Sequence, residues 1–374
     1  MAIAVEENQA GQVVQQRREI EVLNPATGQV IGSIPVQTPE EIAEIVAKAR
    51  AAQPVWESLG YDGRARIFKR AQKWVMDNQD RLIEAVCAET GKTYEDVLGP
   101  EISYVAGAFG YWAKHASEYL ADEKVRSTAP FVIGKKLVVR HAPVGVIGVI
   151  GPWNFPLTNS FGDCIPALAA GNSVVLKPSE VTPLSSLLTV EMMTDCGVPE
   201  GVYQVAMGDG STGAALVDEV DMIMFTGSTA TGKKVMQRAA ETLTPVSLEL
   251  GGKDPMIVLK DADLEKASNA ASFYSMNNAG QICISVERVY VEEPIYDEFV
   301  SKVTEKVKKL RQGPPNGPGA ADLGAVIFPP QVEIIERHVK DAVDHGAKVL
   351  TGQAAAPKRL AGAPLLVYRY VAAS

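Results

Sequence analysis

Cysteine is sparse in this chain, with four thiols in 374 residues at Cys87, Cys164, Cys196 and Cys283, spaced 77, 32 and 87 residues apart. No Cys-x-x-Cys pair and no His-Glu-x-x-His helix accompanies them, so neither a disulfide framework nor a zinc site has support, and no metal is expected. Basic clusters are missing too. Lys and Arg number 36 against 45 Asp and Glu, a net charge of −9, and nothing matches the concentrated positive face that neutralises nucleic-acid phosphates. The N-terminus, Met1-Ala2-Ile3-Ala4-Val5-Glu6-Glu7, carries acids where a secretory leader has a basic region followed by an apolar core. A reducing, cytoplasmic setting is the expectation.

Long apolar runs are scarce. Residues 142–162 contain no charged side chain and meet a crude length test for a membrane span. Pro143, Pro152 and Pro156 with Gly145, Gly148, Gly151 and Gly162 argue against a helix there. A buried strand from Val144 to Ile150 followed by a turn is the simpler reading.

What is present describes a soluble globular protein: 46% hydrophobic and 22% charged residues. At roughly 150 residues per domain the length predicts two or three units. Thr38-Pro39-Glu40-Glu41 starts a helix, with Thr38 as cap, Pro39 at its first position and Glu41 completing a capping box. Ile42, Ile45, Val46 and Ala49 follow as one apolar stripe. Further helical regions are expected over about 63–90 and 100–120, and a hairpin around Gly134-Lys135-Lys136 within 125–141.

From Val144 onward short β-branched runs alternate with helical stretches. The runs are Val144–Ile150, Ser173–Leu176, Val202–Val205, Asp221–Phe225, Val246–Leu250 and Pro255–Leu259. Such alternation predicts an α/β fold with a doubly wound, Rossmann-like parallel sheet, whose ligands bind beyond the carboxyl ends of the strands. Beyond residue 283 the pattern predicts a strand over 286–291, helices over 296–311 and 331–345, and a Gly/Pro-rich loop at 313–319.

Cys283, in Gln281-Ile282-Cys283-Ile284-Ser285, is a candidate nucleophile, and Glu249, 34 residues upstream in Leu248-Glu249-Leu250-Gly251-Gly252, a candidate base. A thiolate that attacks a carbonyl forms a covalent intermediate, and a carboxylate can activate the water that releases it. The bland alternatives are a small buried hydrophobe and a wet strand face; Cys87, Cys164 and Cys196 keep the first of these. Gly227-Ser228-Thr229, between a strand and a helix, suits an anion. Gly208-Asp209-Gly210-Ser211-Thr212-Gly213 spells Gly-x-Gly-x-x-Gly but lacks the context of the dinucleotide fingerprint, and we decline that reading. Met222 and Met224 are read as core.

Pro152-Trp153-Asn154-Phe155-Pro156, Leu176-Lys177-Pro178-Ser179-Glu180 and Phe225-Thr226-Gly227-Ser228-Thr229 precede the Glu249 and Cys283 segments in order. This series resembles the NAD(P)-dependent aldehyde dehydrogenase superfamily, from about Asn24 to about Leu350. The resemblance implies oxidation of an aldehyde to a carboxylic acid through a cysteine thiohemiacetal and thioester, with Cys283 as nucleophile, Glu249 activating water and Asn154 holding the oxyanion. It also implies cofactor binding by Trp153, Lys177, Ser179, Glu180, Gly227, Ser228 and Leu250. The cofactor expected is NAD, with NADP possible, because a carboxylate at Glu180 accepts a hydrogen bond from a ribose 2′-OH but repels a 2′-phosphate. A partly desolvated Glu249 with a raised pKa is expected for a base. Polar Asn159 and Asn277, small Gly162, and Ile282 and Ile284 beside the nucleophile suggest an open pocket for a polar aldehyde such as a semialdehyde.

By that resemblance residues 1–121 and 142–250 form the cofactor domain, 122–141 a protruding oligomerisation hairpin and 251–352 a partial second α/β domain. Residues 353–374 are an atypical tail. The family's Glu-x-Phe-Gly-Pro motif is not found, and no acidic residue follows Asp344. The expectation is therefore a C-terminally truncated, frame-shifted or simply shortened chain of low stability, with compromised homo-oligomer formation. The alternative function is an inactive remnant that at most binds nucleotide or pairs with another subunit.

Overall fold

A computed structural model describes residues 17–127, 129–352 and the backbone of Tyr370–Ala372. Strands β1 (Glu19–Leu23) and β2 (Val30–Pro35) form an antiparallel pair at the start. Helix α1 (Pro39–Ser58) has the expected capping box: the Thr38 side chain accepts from the Glu41 N–H at 3.3 Å, and the Glu41 carboxylate accepts from the Thr38 N–H at 2.8 Å. The region expected as one helix over 63–90 is two, α2 (Gly60–Asp77) and α3 (Gln79–Thr90), because Asn78 leaves helical geometry and its own amide bonds the Trp74 carbonyl. A short α4 (Tyr94–Val97) runs through a π-helical turn, Leu98–Ser103, into α5 (Tyr104–Tyr119). Strands β3 (Glu123–Val125) and β4 (Leu137–Val139) form the hairpin.

Then comes the sheet. Strands β5 (Val146–Ile150), β6 (Ser173–Lys177), β7 (Tyr203–Val205), β8 (Met222–Thr226) and β9 (Val246–Glu249) pair parallel in the order β7-β6-β5-β8-β9. Between them run a second π-helical segment, Pro156–Phe161, then α6 (Gly162–Ala169), α7 (Ser185–Asp195), α8 (Gly210–Glu219) and α9 (Thr229–Thr242). The strand order reverses between β5 and β8. That switch point opens a crevice at their carboxyl ends.

Side-chain alternation decides which helices cover which face. Ile147, Val149, Val174, Leu176, Met222 and Met224 face a core with Phe68, Phe109 and Leu168 of α2, α5 and α6. Val146, Ile150, Val175, Ile223 and Phe225 face Ile42 and Val46 of α1, Leu216 of α8 and Val235 of α9. Both faces are covered, as parallel sheets require. Met222 and Met224 are core packing, as expected.

The sixth run does not join this sheet. It forms β10 (Asp254–Val258), which pairs parallel with β11 (Val286–Val291) and packs through Val258 on Ala271 of α10 (Leu264–Met276) and on Phe299 and Val303 of α11 (Tyr296–Lys308). Helix α12 (Pro330–Asp344) leads to β12 (Lys348–Thr351), whose antiparallel partner is β13 (Tyr370–Ala372). The remainder of the expected tail lies outside the described residues. Among the described residues no helix is long and apolar enough to cross a membrane. Residues 142–162 hold the strand Val146–Ile150 and a turn as expected, but contrary to expectation also a helical stretch, the π-helical Pro156–Phe161 that runs into α6, with Pro156 tolerated at its first position.

Glu89, at the end of α3, is fully buried and accepts hydrogen bonds from the Leu184 and Ser185 N–H groups at 2.6 and 3.2 Å, which ties α3 to the start of α7. Burial pushes its carboxyl up to about 7 despite those donors. A carboxyl raised in the folded state contributes stability that is full below its unfolded pKa and is lost as pH rises through the folded one. Carboxylates lowered by partners, such as Asp209 at about 2, act only in acid and leave that window alone. The melting temperature should therefore fall between about pH 5 and pH 7.5, and Glu89→Gln should reduce the slope to the part left by Asp163, whose carboxyl burial also raises, to about 6. Equal slopes for both proteins in a pH series of thermal melts would refute the assignment.

Candidate active site

The chain leaves β5 through Gly151, where a side chain is impossible: a Cβ there would lie 1.9 Å from the Ser160 hydroxyl of the returning π-helical segment. This close approach lets the loop Pro152–Phe155 fold back over the sheet end. Trp153 is half-buried, its carbonyl accepts from the Thr182 hydroxyl at 3.1 Å, and its ring lies 6.1 Å from that of Phe328. The half-buried Asn154 donates from Nδ2 to the Gln281 carbonyl at 2.9 Å. Two residues before Cys283, that contact brings the loop after β5 and the loop before β11 together. One amide N–H of Asn154 is used, and the second is left for another acceptor.

The Cys283 loop is held in a conformation that needs support. Asn278 and Ala279 have left-handed backbones, φ 48° and 59°, uncommon without glycine. Their cost is offset by Gln281, a buried amide that donates to the Asn278 and Ala325 carbonyls at 2.8 and 3.2 Å and accepts from the Ile327 N–H at 2.8 Å. Asn278 in turn donates to the Gln281 carbonyl at 3.2 Å. Cys283 itself is exposed, whereas Cys87, Cys164 and Cys196 are buried. Burial pushes the Cys87 thiol up to about 12 and raises those of Cys164 and Cys196.

Glu249 ends β9, and Gly252, three residues on, approaches the Cys283 backbone so that a Cβ there would lie 3.7 Å from the Cys283 carbonyl. Cys283, Asn154 and Glu249 thus lie on segments that meet at one end of the sheet. The expected desolvation of Glu249 is not found. Its side chain is exposed, because β9 is the sheet edge, paired with β8 alone, and Glu249 is its terminal residue. The desolvated carboxyl is instead Asp163, in the first turn of α6, pushed up to about 6 by burial and then by the charge of Glu249. Sequence reasoning missed Asp163. A lone acid within the otherwise apolar Phe161-Gly162-Asp163-Cys164-Ile165 was the available signal.

The residues expected to bind a cofactor line the other sheet ends. Lys177, the last residue of β6, is buried, and its Nζ pairs with Glu180 Oε2 at 2.9 Å. Ser179 is buried, and its hydroxyl accepts from the Val181 N–H at 3.2 Å. Ser228 caps α9, its side chain accepting from the Thr231 N–H at 3.2 Å, which leaves earlier first-turn N–H groups free for an anion. Gly227 precedes it at the crowded end of β8, where a Cβ would lie 2.7 Å from the Phe225 ring. Leu250 packs on Gly232 of α9, whose Cβ would meet it at 2.7 Å. A crevice at the switch point, a free helix start and a half-exposed carboxylate on the flank fit a dinucleotide. The declined Gly208–Gly213 stretch has a structural role: Asp209 caps α8 and pairs with Arg18. Among the described residues no cluster of His, Cys, Asp or Glu could hold a metal.

Residues 13–367 match the model of the aldehyde dehydrogenase family. The chain is 42% identical over 327 residues to a Mycolicibacterium smegmatis protein described as "Putative succinate-semialdehyde dehydrogenase NADP(+)", covering 87% of this chain and 62% of that one. It is 39% identical over 332 residues to the 4,4'-diapolycopene aldehyde oxidase of Methylomonas sp, covering 88% and 62% respectively. The chain thus spans about 62% of the length of these curated relatives. Among solved structures, PnpE from Pseudomonas sp. WBC-3 superposes with a TM-score of 0.90 at 34% identity, covering 96% of this chain and 73% of its own. PnpE has also been solved in complex with nicotinamide adenine dinucleotide, and that structure superposes with a TM-score of 0.89.

Proposed function

This chain belongs to the aldehyde dehydrogenase family, and from that premise we propose that it carries the site of an NAD(P)-dependent oxidation of an aldehyde to its carboxylic acid. The observation that carries the reading is the Asn154–Gln281 hydrogen bond of 2.9 Å, which sets an amide donor beside the loop of an exposed cysteine. Residues 142–250 would hold the dinucleotide, and 251–352 carry the nucleophile.

In this reading the Cys283 thiolate adds to the aldehyde carbon. The resulting oxyanion is held by the free amide N–H of Asn154 and by backbone N–H of the Cys283 loop, donors already fixed before charge develops. A dinucleotide bound here would supply the acceptor for the hydride that leaves the thiohemiacetal carbon, so that Cys283 is left carrying a thioester. Lys177 and Glu180 bind its adenosine ribose, and Ser228 with the start of α9 its phosphates. Glu249 then takes a proton from the water that attacks the thioester and expels Cys283. Its exposure gives that water a direct route.

A polar substrate is supported by the Asn277 side chain, whose Oδ1 is buried and has no partner among the described residues. An aldehyde bearing a hydroxyl or other hydrogen-bond donor suits that acceptor oxygen better than an alkyl chain. Steady-state NADH production across a panel from succinic semialdehyde to long alkyl aldehydes tests this, and a preference for the longest alkyl chain would reject it. A second reading, nucleotide binding without turnover, is favoured by the exposure of both Cys283 and Glu249, since open sites stabilise developing charge poorly. Calorimetry showing dinucleotide binding alongside a null turnover assay would select it.

Cofactor choice follows from Glu180. Its carboxylate is half-buried and paired with Lys177, so its charge is partly offset and NADP is disfavoured rather than excluded. Glu180→Ser should raise the NADP-to-NAD ratio of kcat/KM by about ten- to a hundredfold, as removal of a like-charge contact predicts. An unchanged ratio would remove Glu180 from cofactor selection.

A further inference from the structure

Two charges far from solvent remain unused by this mechanism. Lys92 and Glu101 are 1% and 0% exposed, and Lys92 Nζ lies 2.6 Å from Glu101 Oε1. A buried pair of this kind rarely adds stability over apolar side chains of the same volume. What these two touch suggests another use.

The second carboxylate oxygen of Glu101 accepts from the Leu157 and Thr158 N–H groups at 3.0 and 2.8 Å. Those are free donors of the π-helical segment that starts directly after Asn154 and Phe155. The Lys92 ammonium sits 3.6 Å from the centroid of the buried Phe155 ring, a cation–π contact with the residue next to Asn154. On its other side, the Gly91 carbonyl accepts from the Ala325 N–H at 3.0 Å, and Ala325 is the residue whose carbonyl holds the Gln281 amide at 3.2 Å. The approach is close: a Cβ on Gly324 would lie 2.3 Å from the Gly91 oxygen. Since Asn154 donates to the Gln281 carbonyl, these contacts close into a ring. It runs from Lys92 through Glu101 and the Pro156 segment to Asn154, then through Gln281 and Ala325 back to Gly91.

We propose that the Lys92–Glu101 pair is a positioning device that fixes the Asn154 amide and the Cys283 loop relative to each other, so that both oxyanion donors are set before substrate arrives. The proposal rests on the oxyanion role given to Asn154 above. Each partner holds one side of the donor pair: Glu101 caps the segment behind Asn154, and Lys92 presses on Phe155 while its neighbour Gly91 anchors the irregular segment, Ala325 to Ile327, that carries the Gln281 contacts. Asp96 adds to the case. It is buried beside the pair, and one of its oxygens has no partner among the described residues; burial raises its carboxyl, and the Thr93 side chain, the Lys92 charge and the Asn278 backbone N–H offset only part of that.

The test uses the full chain with Lys92→Met, the near-isosteric Glu101→Gln, and the double variant Lys92→Met/Glu101→Leu. Each single variant should lower kcat per burst-titrated active site by about 10²-fold, the scale of a displaced catalytic group. Dinucleotide affinity should stay within about twofold, because the sheet ends that bind it are not in the ring. Amide exchange in peptides covering 153–158 and 278–285 should rise about tenfold, with β5 and β6 unchanged. The double variant should regain thermal stability but not kcat. A lowered melting point with unchanged kcat per site in the single variants, or full kcat in the double variant, would make the pair merely structural and overturn the proposal. If the wild-type chain shows no turnover at all, the oxidation reading fails on its own; unaltered exchange in both peptides would then overturn the positioning role separately.

Discussion

Cys283→Ala is expected to abolish aldehyde oxidation, by roughly 10⁴- to 10⁶-fold in kcat, the loss seen when a nucleophile that acts as part of a unit is removed. No other thiol can stand in for it. Cys164 and Cys196 are buried, and the Cys87 thiol is pushed up to about 12, so none offers a thiolate to solvent near neutral pH. Dinucleotide affinity should be nearly unchanged, since the loop before β11 is separate from the ends of β6 and β8 where Lys177 and Ser228 sit. Turnover by NADH absorbance beside binding calorimetry reads both effects. More than a trace of residual turnover in a preparation free of contaminating dehydrogenase would defeat the assignment.

The sheet was legible in the sequence because central parallel strands, buried on both faces, read as unbroken apolar runs, as Val146–Ile150 and Ser173–Lys177 do. Their carboxyl ends could be located from the same runs, and Asn154, Lys177, Ser228 and Glu249 fall at or just past them. The split at Asn78 was not legible, since periodicity continues across it and only one residue departs from helical geometry. The exposure of Glu249 was hidden for a related reason: a run of alternating apolar residues does not say whether its strand is central or at the edge. Nothing in the sequence marks Lys92 and Glu101, nine residues apart, as buried or paired. Only the fold shows that α4 and the π-helical turn after it bring them face to face in the core. The left-handed pair Asn278–Ala279 had half a signal, as asparagine tolerates that region and alanine does not.

Glu249→Gln should separate the two halves of the reaction. Hydride transfer precedes the water step, so a burst of NADH about equal to the number of active sites is expected, followed by a steady state slowed by roughly 10²- to 10⁴-fold, the usual contribution of a general base. The neighbouring Asp163 gives a second readout. Its carboxyl is raised to about 6 by burial first and by the charge of Glu249 second, so the neutral glutamine should lower it. Any limb of the pH profile that belongs to Asp163 should then move to lower pH in the variant, while the burst amplitude stays constant. Asp163→Asn should remove that limb and leave the Glu249-dependent deacylation in place, because Asp163 lies in α6 and Glu249, exposed at the end of β9, keeps its access to water. Stopped-flow traces across a pH series distinguish the outcomes. Loss of the burst itself in Glu249→Gln would show that this carboxylate also serves the thiol in the first half-reaction, and the division of labour between attack and release would have to be redrawn around it.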